Sequence, residues 1–418
     1  MCTIIEINQL RALGVNSMNR DDNGNTKTIE RDCPRARLSS SSLNRAYRDA
    51  FNQPEDVIST RHIAMILKEM YAKNHPEADE ETLKKIYKAS ASLCGASLEK
   101  DKVTYTTQVL TYSKAEIDMA YELLCKCSDK DINEMAAEAG KKDTKSTVVK
   151  KYRAELVKNT KLLPLAPEIA IFGRMVASGI GYDVMSARRT AHAYSVDAFH
   201  DDTDYFTTLD TYIRQMKKAE AGYIGSNTSI ASNVMYMYSA IDPLAVYDNL
   251  VEYYEDRGAT DAEKEAAIDT ATDAVMKLVY IILTVLPKGK QSSMASSPVP
   301  SIAFVTMTEH TQNITMDNCF EKVITATDTK SVAEIAVDRM FDHINKDRFK
   351  QPIVDECLTD SQIDDYLSER TNDTKFGRKL EIPTSMNVNT ISKIEERLSV
   401  MKAAVRKAVA EHAANGRY

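Results

Sequence analysis

The alternation of apolar and polar residues predicts a chain that opens with a strand and then becomes helical. Residues 3–10, TIIEINQL, have a mixed pattern that favours a short strand. PRARL at 34–38 also looks strand-like, and the four serines that follow it offer N-caps to a helix over SLNRAYRDAF. From about 57 to 196, apolar residues recur at helical spacing with short polar breaks. That stretch is therefore predicted to be an all-helical block.

Extended segments are predicted to return after residue 197. Residues alternate in NVMYMYSA at 233–240, and SIAFVTM at 301–307 has the composition of a strand. Further helices are predicted at 260–287, near 333–344 and from about 389 to 413. A chain that starts with a strand and returns to strands after a helical block predicts an α+β domain carrying a helical insertion.

The composition is that of an ordinary globular protein with an acidic balance. The 418 residues are 43% apolar and 28% charged, and the net charge is −7. This balance excludes a wholly basic nucleic-acid binder but allows a local basic surface. The longest strongly apolar run, 278–286, is far shorter than the roughly 18 residues of a membrane span. Because the amino terminus also lacks a secretion signal, we expect a cytoplasmic protein.

The cysteines give no sign of a metal site. There are seven, an odd number scattered along the chain, and the only close pair is in CKC at 125–127. A zinc site needs about four ligands in clustered spacing, and no second pair or histidine cluster follows. The cysteines are therefore predicted to be reduced structural thiols, and the sequence predicts neither a metal nor a cofactor.

Two windows oppose the acidic average. Residues 19–48 carry seven basic and four acidic side chains, with Arg35 and Arg37 two apart on the predicted strand and so on one side. Residues 141–161 carry eight basic side chains, mostly lysines, against two acidic ones. Such lysines suit contacts with nucleic-acid phosphates that do not depend on the base sequence, although a solvated helix face is an open alternative. A glycine-containing loop, PKGKQSS at 287–293, adds further hydrogen-bonding groups but is not a Walker loop.

Eight motifs in one order resemble the CasC family of CRISPR-associated proteins, which form the backbone of the type I-E Cascade surveillance complex. The resemblance covers about residues 1 to 325. The motifs are MNRDDNGNTK, PRARLSSSSLNRAYR, FGRMVASG, AHAYSVD, DYFTTLD, AGYIGSNTSIASNVMYMY, LPKGKQSS and CFEKVI.

The resemblance implies a fold shaped like a right hand. An RRM-like (ferredoxin-like) palm would take residues 1–56 and 232–418, a helical fingers insertion 57–190, and a protruding thumb 199–231. Family members polymerise along a CRISPR guide RNA as a helical filament, present its bases to complementary target DNA, and are not nucleases. The implied partners are guide RNA, target DNA, further copies of this chain and the other Cascade subunits, namely the large, small, 5′-handle-capping and repeat-processing ones.

The motifs also imply residue roles. Guide backbone would be held by Arg20, Lys27, Arg35, Arg37, Ser39, Ser40, Arg45 and Arg48, joined by Lys290, Gln291 and Ser292. The FGRM and thumb motifs would contribute Arg174, Met175, Tyr205, Phe206 and Thr207, with a core position as the alternative for Met175 and Phe206. Target DNA would be guided by Lys141, Lys142 and Lys145.

Departures from the family pattern leave questions open. Asn44 stands where family members often have a basic residue, and Ser41 replaces a common glutamine. The tail beyond 350 has no clear counterpart and is either an insertion, a subunit contact or a longer surface. An alternative function is that of a metal-dependent RNase of the type III backbone kind, using the paired carboxylates Asp21 and Asp22.

Overall fold

The computed structural model describes most of the chain. The described residues are 3–52, 56–95, 98–99, 102–106, 109–139, 145–176, 182–204, 207–208, 212, 215–216, 223–224, 228–252, 258–309, 314–347, 351–372 and 379–415.

Strands and helices alternate along these residues in a mixed α+β order. The strands are β1 (Thr3–Ala12), β2 (Thr28–Glu30), β3 (Pro34–Leu38), β4 (Val57–Thr60), β5 (Leu98–Glu99), β6 (Lys102–Thr106), β7 (Leu110–Ser113), β8 (Arg188–Thr190), β9 (Ala193–Ser195), β10 (Asp202–Asp204), β11 (Thr207–Thr208), β12 (Tyr223–Ile224), β13 (Thr228–Ile230), β14 (Val234–Ile241), β15 (Ile302–Glu309), β16 (Val354–Thr359) and β17 (Asn387–Thr390). The helices are α1 (Ser40–Phe51), α2 (Ile63–Asn74), α3 (Glu80–Leu93), α4 (Lys114–Cys125), α5 (Asp129–Ala137), α6 (Thr147–Thr160), α7 (Pro167–Phe172), α8 (Pro243–Glu252), α9 (Asp261–Thr284), α10 (Gln291–Met294), α11 (Val332–Asp347), α12 (Ser361–Asn372) and α13 (Ile394–Asn415). The predicted α+β class is confirmed.

The chain divides into two compact units. The first comprises 1–51, 188–243 and 275–408, and the second comprises 52–187, 244–274 and 409–418. The second unit thus takes 244–274, which the predicted division assigned to the palm. Among the described helices, none combines the length and apolar composition that crossing a membrane requires.

A nine-stranded sheet is the framework of the first unit. Its order is β17-β16-β15-β1-β14-β9-β3-β2, with β8 also paired to β14. All pairs are antiparallel except β16 with β17. Because β16 lies between two other strands, the tail beyond 350 is an integral part of this sheet.

Burial on both faces explains the mixed pattern of the first strand. Ile4 and Leu10 join the core that includes α11, where the Phe304 and Phe341 rings lie 5.2 Å apart. On the other face, Arg11 is fully buried and donates through Nη2 to the Ile282 carbonyl at 2.9 Å. A strand that is covered on both faces does not show simple alternation.

The prediction of an all-helical block over 57–196 is wrong, because the second unit also contains paired strands. Helices α2 to α6 pack around one core, but Val57–Thr60 pairs with Leu110–Ser113 as an antiparallel ladder. Within that block, helix α7 ends at Phe172, because Gly173 has a left-handed φ of +73° and a Cβ there would lie 2.8 Å from the Val184 carbonyl oxygen. Pairing between segments about fifty residues apart leaves no trace in local periodicity.

Candidate nucleic-acid interface

A tight loop in the first unit brings the amino-terminal basic residues to the end of the sheet formed by β3 and β2. Asp21 Oδ1 accepts the backbone N–H groups of Asn23 at 2.9 Å and Asn25 at 2.8 Å, which closes the loop. These hydrogen bonds, with that from Asn25 first, lower the pKa of Asp21. Arg20 and Thr26 then form a β-bridge across the base of the loop, and the Arg20 side chain is exposed.

Asn19 and Lys27 tie this loop to strand β3. The Asn19 side-chain amide donates to the Arg37 carbonyl at 2.7 Å. The Lys27 N–H donates to the Asn19 carbonyl at 3.0 Å, and the Arg37 N–H donates to the Lys27 carbonyl at 2.9 Å. Lys27 and Arg37, ten residues apart in sequence, are therefore backbone neighbours.

The glycine-containing loop packs against the same region. A Cβ on Gly289 would lie 2.5 Å from the Ser17 carbonyl oxygen, so only glycine fits there. Lys290 follows in a left-handed conformation, and its Nζ donates to Thr228 Oγ1 at 2.5 Å. Thr228 begins strand β13. The next residue of this strand, Ser229, donates through Oγ to Thr26 Oγ1 of the amino-terminal loop at 2.9 Å. The short helix α10 begins at Gln291, whose side chain reaches the Ser296 carbonyl, while Ser292 is exposed.

His192 completes this surface and was missed by the sequence reasoning. Its Nδ1 accepts the backbone N–H of Ser40 at 3.0 Å, at the start of α1, and lies 3.4 Å from Arg37 Nη1. Because Nδ1 accepts from a backbone N–H, the ring proton is on Nε2. We refer to Arg20, Lys27, Arg37, His192 and Lys290 as the basic edge. The signal was available in AHAYSVD, but a single histidine in a motif does not reveal its partner.

The start of α1 lies beside the basic edge. Ser39 Oγ accepts the Ser41 N–H at 3.3 Å, so it caps the helix, and Ser40 binds His192 through its backbone. Arg45 is exposed and pairs with Asp49 at 2.9 Å. Such an exposed pair contributes little, so it does not prevent Arg45 from contacting a phosphate.

Asn44 has a structural partner on the same helix face. It accepts a hydrogen bond from Arg188, and burial followed by the nearby charge of Arg48 lowers the pKa of Arg188 to about 10. A basic residue at position 44 would add a third positive charge to Arg48 and Arg188. The two nearby arginines therefore explain why an uncharged residue stands at position 44.

Arg35 does not lie on the basic edge, and its predicted RNA contact is wrong. The side chain is fully buried and donates to the carbonyls of Ser195 at 3.1 Å and Phe320 at 3.4 Å. It also pairs with Asp32 at 2.5 Å. The Val323 N–H, together with Arg35, lowers the pKa of Asp32 to about 2. A guide phosphate could reach Arg35 only by breaking this cluster.

Arg174 of the second unit is corrected for the same reason. Its Nη1 donates to both oxygens of Glu116, at 2.9 and 2.8 Å, and to the Thr111 carbonyl at 3.2 Å. The two side chains are 1% and 5% exposed. Glu116 also closes a capping box with Ser113 at the start of α4. Arg174 is a buried structural residue, and its predicted RNA contact is wrong.

Met175 is placed quite differently from its neighbour. It is 82% exposed, so the alternative of a core position is wrong for this residue. Its predicted contact with a base stays a prediction.

The family of the chain follows from comparison of its whole length with known proteins. Residues 5–381 match the model of a CRISPR-associated (Cas) family described as CT1975-like protein. The chain belongs to this CT1975-like family. A comparison with curated proteins finds no match.

Solved structures share the fold of this CT1975-like chain. One, a chain of a "CRISPR RNA-guided surveillance complex, pre-nicking", is 20% identical with a TM-score of 0.71, covering 96% of this chain and 100% of that chain. Another, from a "CRISPR RNA-guided surveillance complex", is 18% identical with a TM-score of 0.61, covering 95% of this chain and 99% of that chain. At these identities the likeness concerns the fold.

Other predicted contacts of the CT1975-like chain are only partly placed. Tyr205, Phe206, Lys141 and Lys142 lie outside the described residues. Thr207 lies on β11, paired with Ile224 on β12. Lys145 is exposed just before α6. The roles of these residues therefore stay predictions.

The alternative of a metal site at Asp21 and Asp22 gains no support in this CT1975-like chain. Asp21 uses both carboxylate oxygens to hold its own loop, including a bond to the Asn25 amide at 3.2 Å. Within the part of the chain that the structure describes, no group of three or more His, Cys, Asp or Glu side chains could hold a metal ion.

Proposed function

We propose that this CT1975-like chain is a non-catalytic, guide RNA-binding backbone subunit of a type I-E-like Cascade complex, as its resemblance to the CasC family implies. The observation that carries the proposal is the basic edge. In a protein with a net charge of −7, the fold joins Arg20, Lys27 and Arg37 of one amino-terminal stretch with Lys290 of a distant one.

Hydrogen bonds hold in place the main chain that carries these cations, which suits binding of a chain of phosphates. The Lys27 and Arg37 main chains are bonded to each other, and Lys290 is held on a loop that only glycine permits. A guide held through phosphates keeps its base edges free for pairing with target DNA. The proton on His192 Nε2 adds a neutral donor for a phosphate oxygen or a 2′-hydroxyl.

The remaining parts of the family description complete the proposal. The nine-stranded sheet would contain the RRM-like palm, the second unit would be the fingers, and the segment around Thr207 would be the thumb that displaces bases. Lys145, with Lys141 and Lys142, would guide target DNA. Copies of the chain would assemble along the RNA with other Cascade subunits in the cytoplasm.

A triple variant tests the basic edge. Arg20→Ala, Arg37→Ala and Lys290→Ala together remove three cations, and the matched control is Lys322→Ala, Lys379→Ala and Lys393→Ala, which removes three exposed lysines of the same unit. We expect the first variant to weaken guide RNA binding at least about 100-fold, since each charge-assisted hydrogen bond contributes roughly 1.5–3 kcal/mol. The slope of log K against log salt should fall by about 2.

The control should leave both the affinity and the slope close to wild type. Equal effects of the two variants would mean that only net charge matters and would contradict the proposed site. Cleavage of RNA by the wild type in divalent cations, abolished by Asp21→Asn, would favour the RNase alternative instead.

A further inference from the structure

A short buried strand contacts both of the loops that carry cations of the basic edge. Strand β13 (Thr228–Ile230) belongs to the motif AGYIGSNTSIASNVMYMY, none of whose residues was assigned a role from the sequence. Thr228 and Ser229 are only 4% and 3% exposed, so RNA cannot reach either hydroxyl directly. Any contribution of these hydroxyls to RNA binding therefore passes through the residues that they contact.

The two hydroxyls of β13 contact the two loops separately. Thr228 Oγ1 accepts from Lys290 Nζ of the glycine-containing loop at 2.5 Å. Ser229 Oγ lies 2.9 Å from Thr26 Oγ1 of the amino-terminal loop. Because successive side chains of a strand point to opposite faces, these two contacts are made on opposite faces of β13. The strand therefore stands between Lys290 and Thr26.

Thr26 links Ser229 to two cations of the basic edge. It forms a β-bridge with Arg20 and directly precedes Lys27. A hydrogen bond that holds Thr26 in place thus holds the main chain at both basic residues. The hydroxyl of Ser229 therefore acts on the amino-terminal cations and not on the glycine-containing loop.

The main chain of β13 is itself held on both sides. Asn16 and Ala231, which directly follows the strand, exchange two backbone hydrogen bonds of 2.9 Å. Ser17 Oγ donates to the Ser229 carbonyl at 3.2 Å. Strand β10 pairs with β13 in antiparallel fashion, and Asp201, just before β10, lies with Oδ1 2.7 Å from Ser229 Oγ. The two loops are thus attached to a fixed strand.

Contacts that exist before RNA arrives favour its binding. Ordering a lysine side chain and a loop on binding costs free energy, and a contact already present in the free chain removes that cost. An ammonium group has three N–H donors, so the bond to Thr228 leaves Lys290 two donors for a phosphate. The hydroxyls of β13 therefore pre-organise the basic edge for the RNA backbone.

We propose that Thr228 and Ser229 are positioning residues of the guide-binding site. Thr228 orients the ammonium group of Lys290, and Ser229 holds Thr26 and, with it, the amino-terminal cations of the basic edge. This inference rests on the proposed guide-binding function and deepens it by naming residues that act on RNA binding without touching RNA.

Double-mutant cycles with a synthetic guide RNA of repeat-spacer length test the inference, because they separate positioning from a general loss of structure. Thr228→Val keeps the shape of the side chain without the hydroxyl, and we expect RNA affinity to fall about 3- to 10-fold. In the Lys290→Ala background the same change should have no further effect. Thr228→Ser, which keeps the hydroxyl, should bind RNA like wild type.

Ser229 should show the opposite coupling. We expect Ser229→Ala to weaken RNA binding about 3- to 10-fold, both alone and by the same factor in the Lys290→Ala background. In a variant that combines Arg20→Ala with Lys27→Ala it should have no further effect. A role confined to the stability of the fold would not produce this crossed pattern.

Two further variants serve as a check and a control. Thr26→Val removes the same hydrogen bond from the loop side, where the residue is half-buried and the fold tolerates the change; it should match Ser229→Ala. Ser232→Ala is the matched control, since the Ser232 hydroxyl donates instead to the Leu13 carbonyl at 3.2 Å. The control should bind RNA like wild type. Thermal midpoints of all variants are measured alongside.

The remaining results would overturn the inference. An effect of Thr228→Val that persists unchanged in the Lys290→Ala background would remove the positioning role of Thr228. Equal coupling of Ser229 to both loops would indicate a general loss of structure. If both β13 variants bound RNA like wild type while the basic-edge triple variant lost it, the proposed function would stand and this inference would fail. If the wild type bound no guide RNA, both would fail together.

Discussion

Arg35 and Arg37 stand two residues apart on the same strand, yet they have opposite roles in the structure. Arg35 is fully buried among carbonyl oxygens and Asp32, whereas Arg37 is half-buried beside His192 on the basic edge. Both are arginines of strand β3, so neither the residue type nor the charge of the surrounding sequence distinguishes them. What separates them is the set of distant segments that pack over each one.

The cluster around Arg35 explains why several motifs occur together. PRARL supplies Arg35, AYSVD supplies the Ser195 and Val196 carbonyls, and CFEKVI supplies the Phe320 carbonyl. Residues of these three motifs therefore meet in one hydrogen-bonded cluster of the first unit. A motif that resembles a family of RNA-binding proteins can thus contain residues that hold the fold beside residues that are free to bind RNA.

Removal of the Arg35 side chain should have the largest effect on stability. Arg35→Ala leaves buried carbonyls without donors and should destabilise the first unit by about 3–5 kcal/mol, lowering its thermal midpoint by roughly 10 °C. Arg35→Lys should not restore stability, because lysine lacks the planar fork. Thermal unfolding of Arg37→Ala serves as the matched control and should stay near wild type. Similar midpoints for Arg35→Ala and Arg37→Ala would contradict the distinction.

The next effect concerns the loop that carries Lys290. Gly289→Ala places a Cβ against the Ser17 backbone and should cost about 1–3 kcal/mol, with weaker RNA binding because Lys290 moves. Gly14→Ala is the control, since its Cβ would make only an ordinary 3.5 Å contact with Ser296 Oγ. Thermal unfolding and RNA titration measure both. Retained affinity in Gly289→Ala would separate this loop from the basic edge.

A smaller effect on RNA affinity is expected for His192, which acts on the basic edge through a hydrogen bond and not through charge. His192→Ala removes the acceptor of the Ser40 N–H and should lower RNA affinity by roughly 3- to 10-fold, the range expected for one hydrogen bond. The salt slope should not change, because the ring is neutral. Arg37→Ala should instead reduce that slope by about 0.7. His192→Asn, which offers an acceptor in place of Nδ1, should recover part of the affinity; a slope change in His192→Ala would refute the positioning role.

The smallest effect is the pH dependence of the Arg35 cluster. The pKa of Asp32 is about 2 in the folded protein, below its ordinary 3.8, because the Val323 N–H and Arg35 favour the carboxylate. Its contribution is therefore complete above about pH 4 and is lost as the pH falls toward 2. Thermal unfolding from pH 5 to 3 should show a steeper loss for wild type than for Asp32→Asn. Parallel profiles would exclude Asp32 as the source.

Local patterns predicted many of the strands and helices. Strands β1, β3, β14 and β15 and helices α1, α9, α11 and α13 follow from apolar spacing, serine caps and strand alternation. The β4–β7 pair and the end of α7 at Gly173 were missed, because each depends on a partner distant in sequence. Periodicity records which face of an element is apolar and does not record which segment covers it.

The candidate site shows the same limit. The resemblance to the CasC family singled out Arg20, Lys27, Arg37 and Lys290, and the fold brings their segments together. It could not distinguish Arg35 and Arg174, whose buried acceptors are main-chain carbonyls and Glu116. Nor could it find His192, whose setting depends on Ser40.

Co-purification shows whether this chain forms the backbone of a guide RNA complex. The tagged protein would be purified with its operon neighbours, and any RNA bound to it would be sequenced. We expect uniform RNAs of repeat-spacer length in a complex with several copies of this chain, and loss of that RNA in the Arg20, Arg37 and Lys290 triple variant. A monomer free of nucleic acid would contradict it.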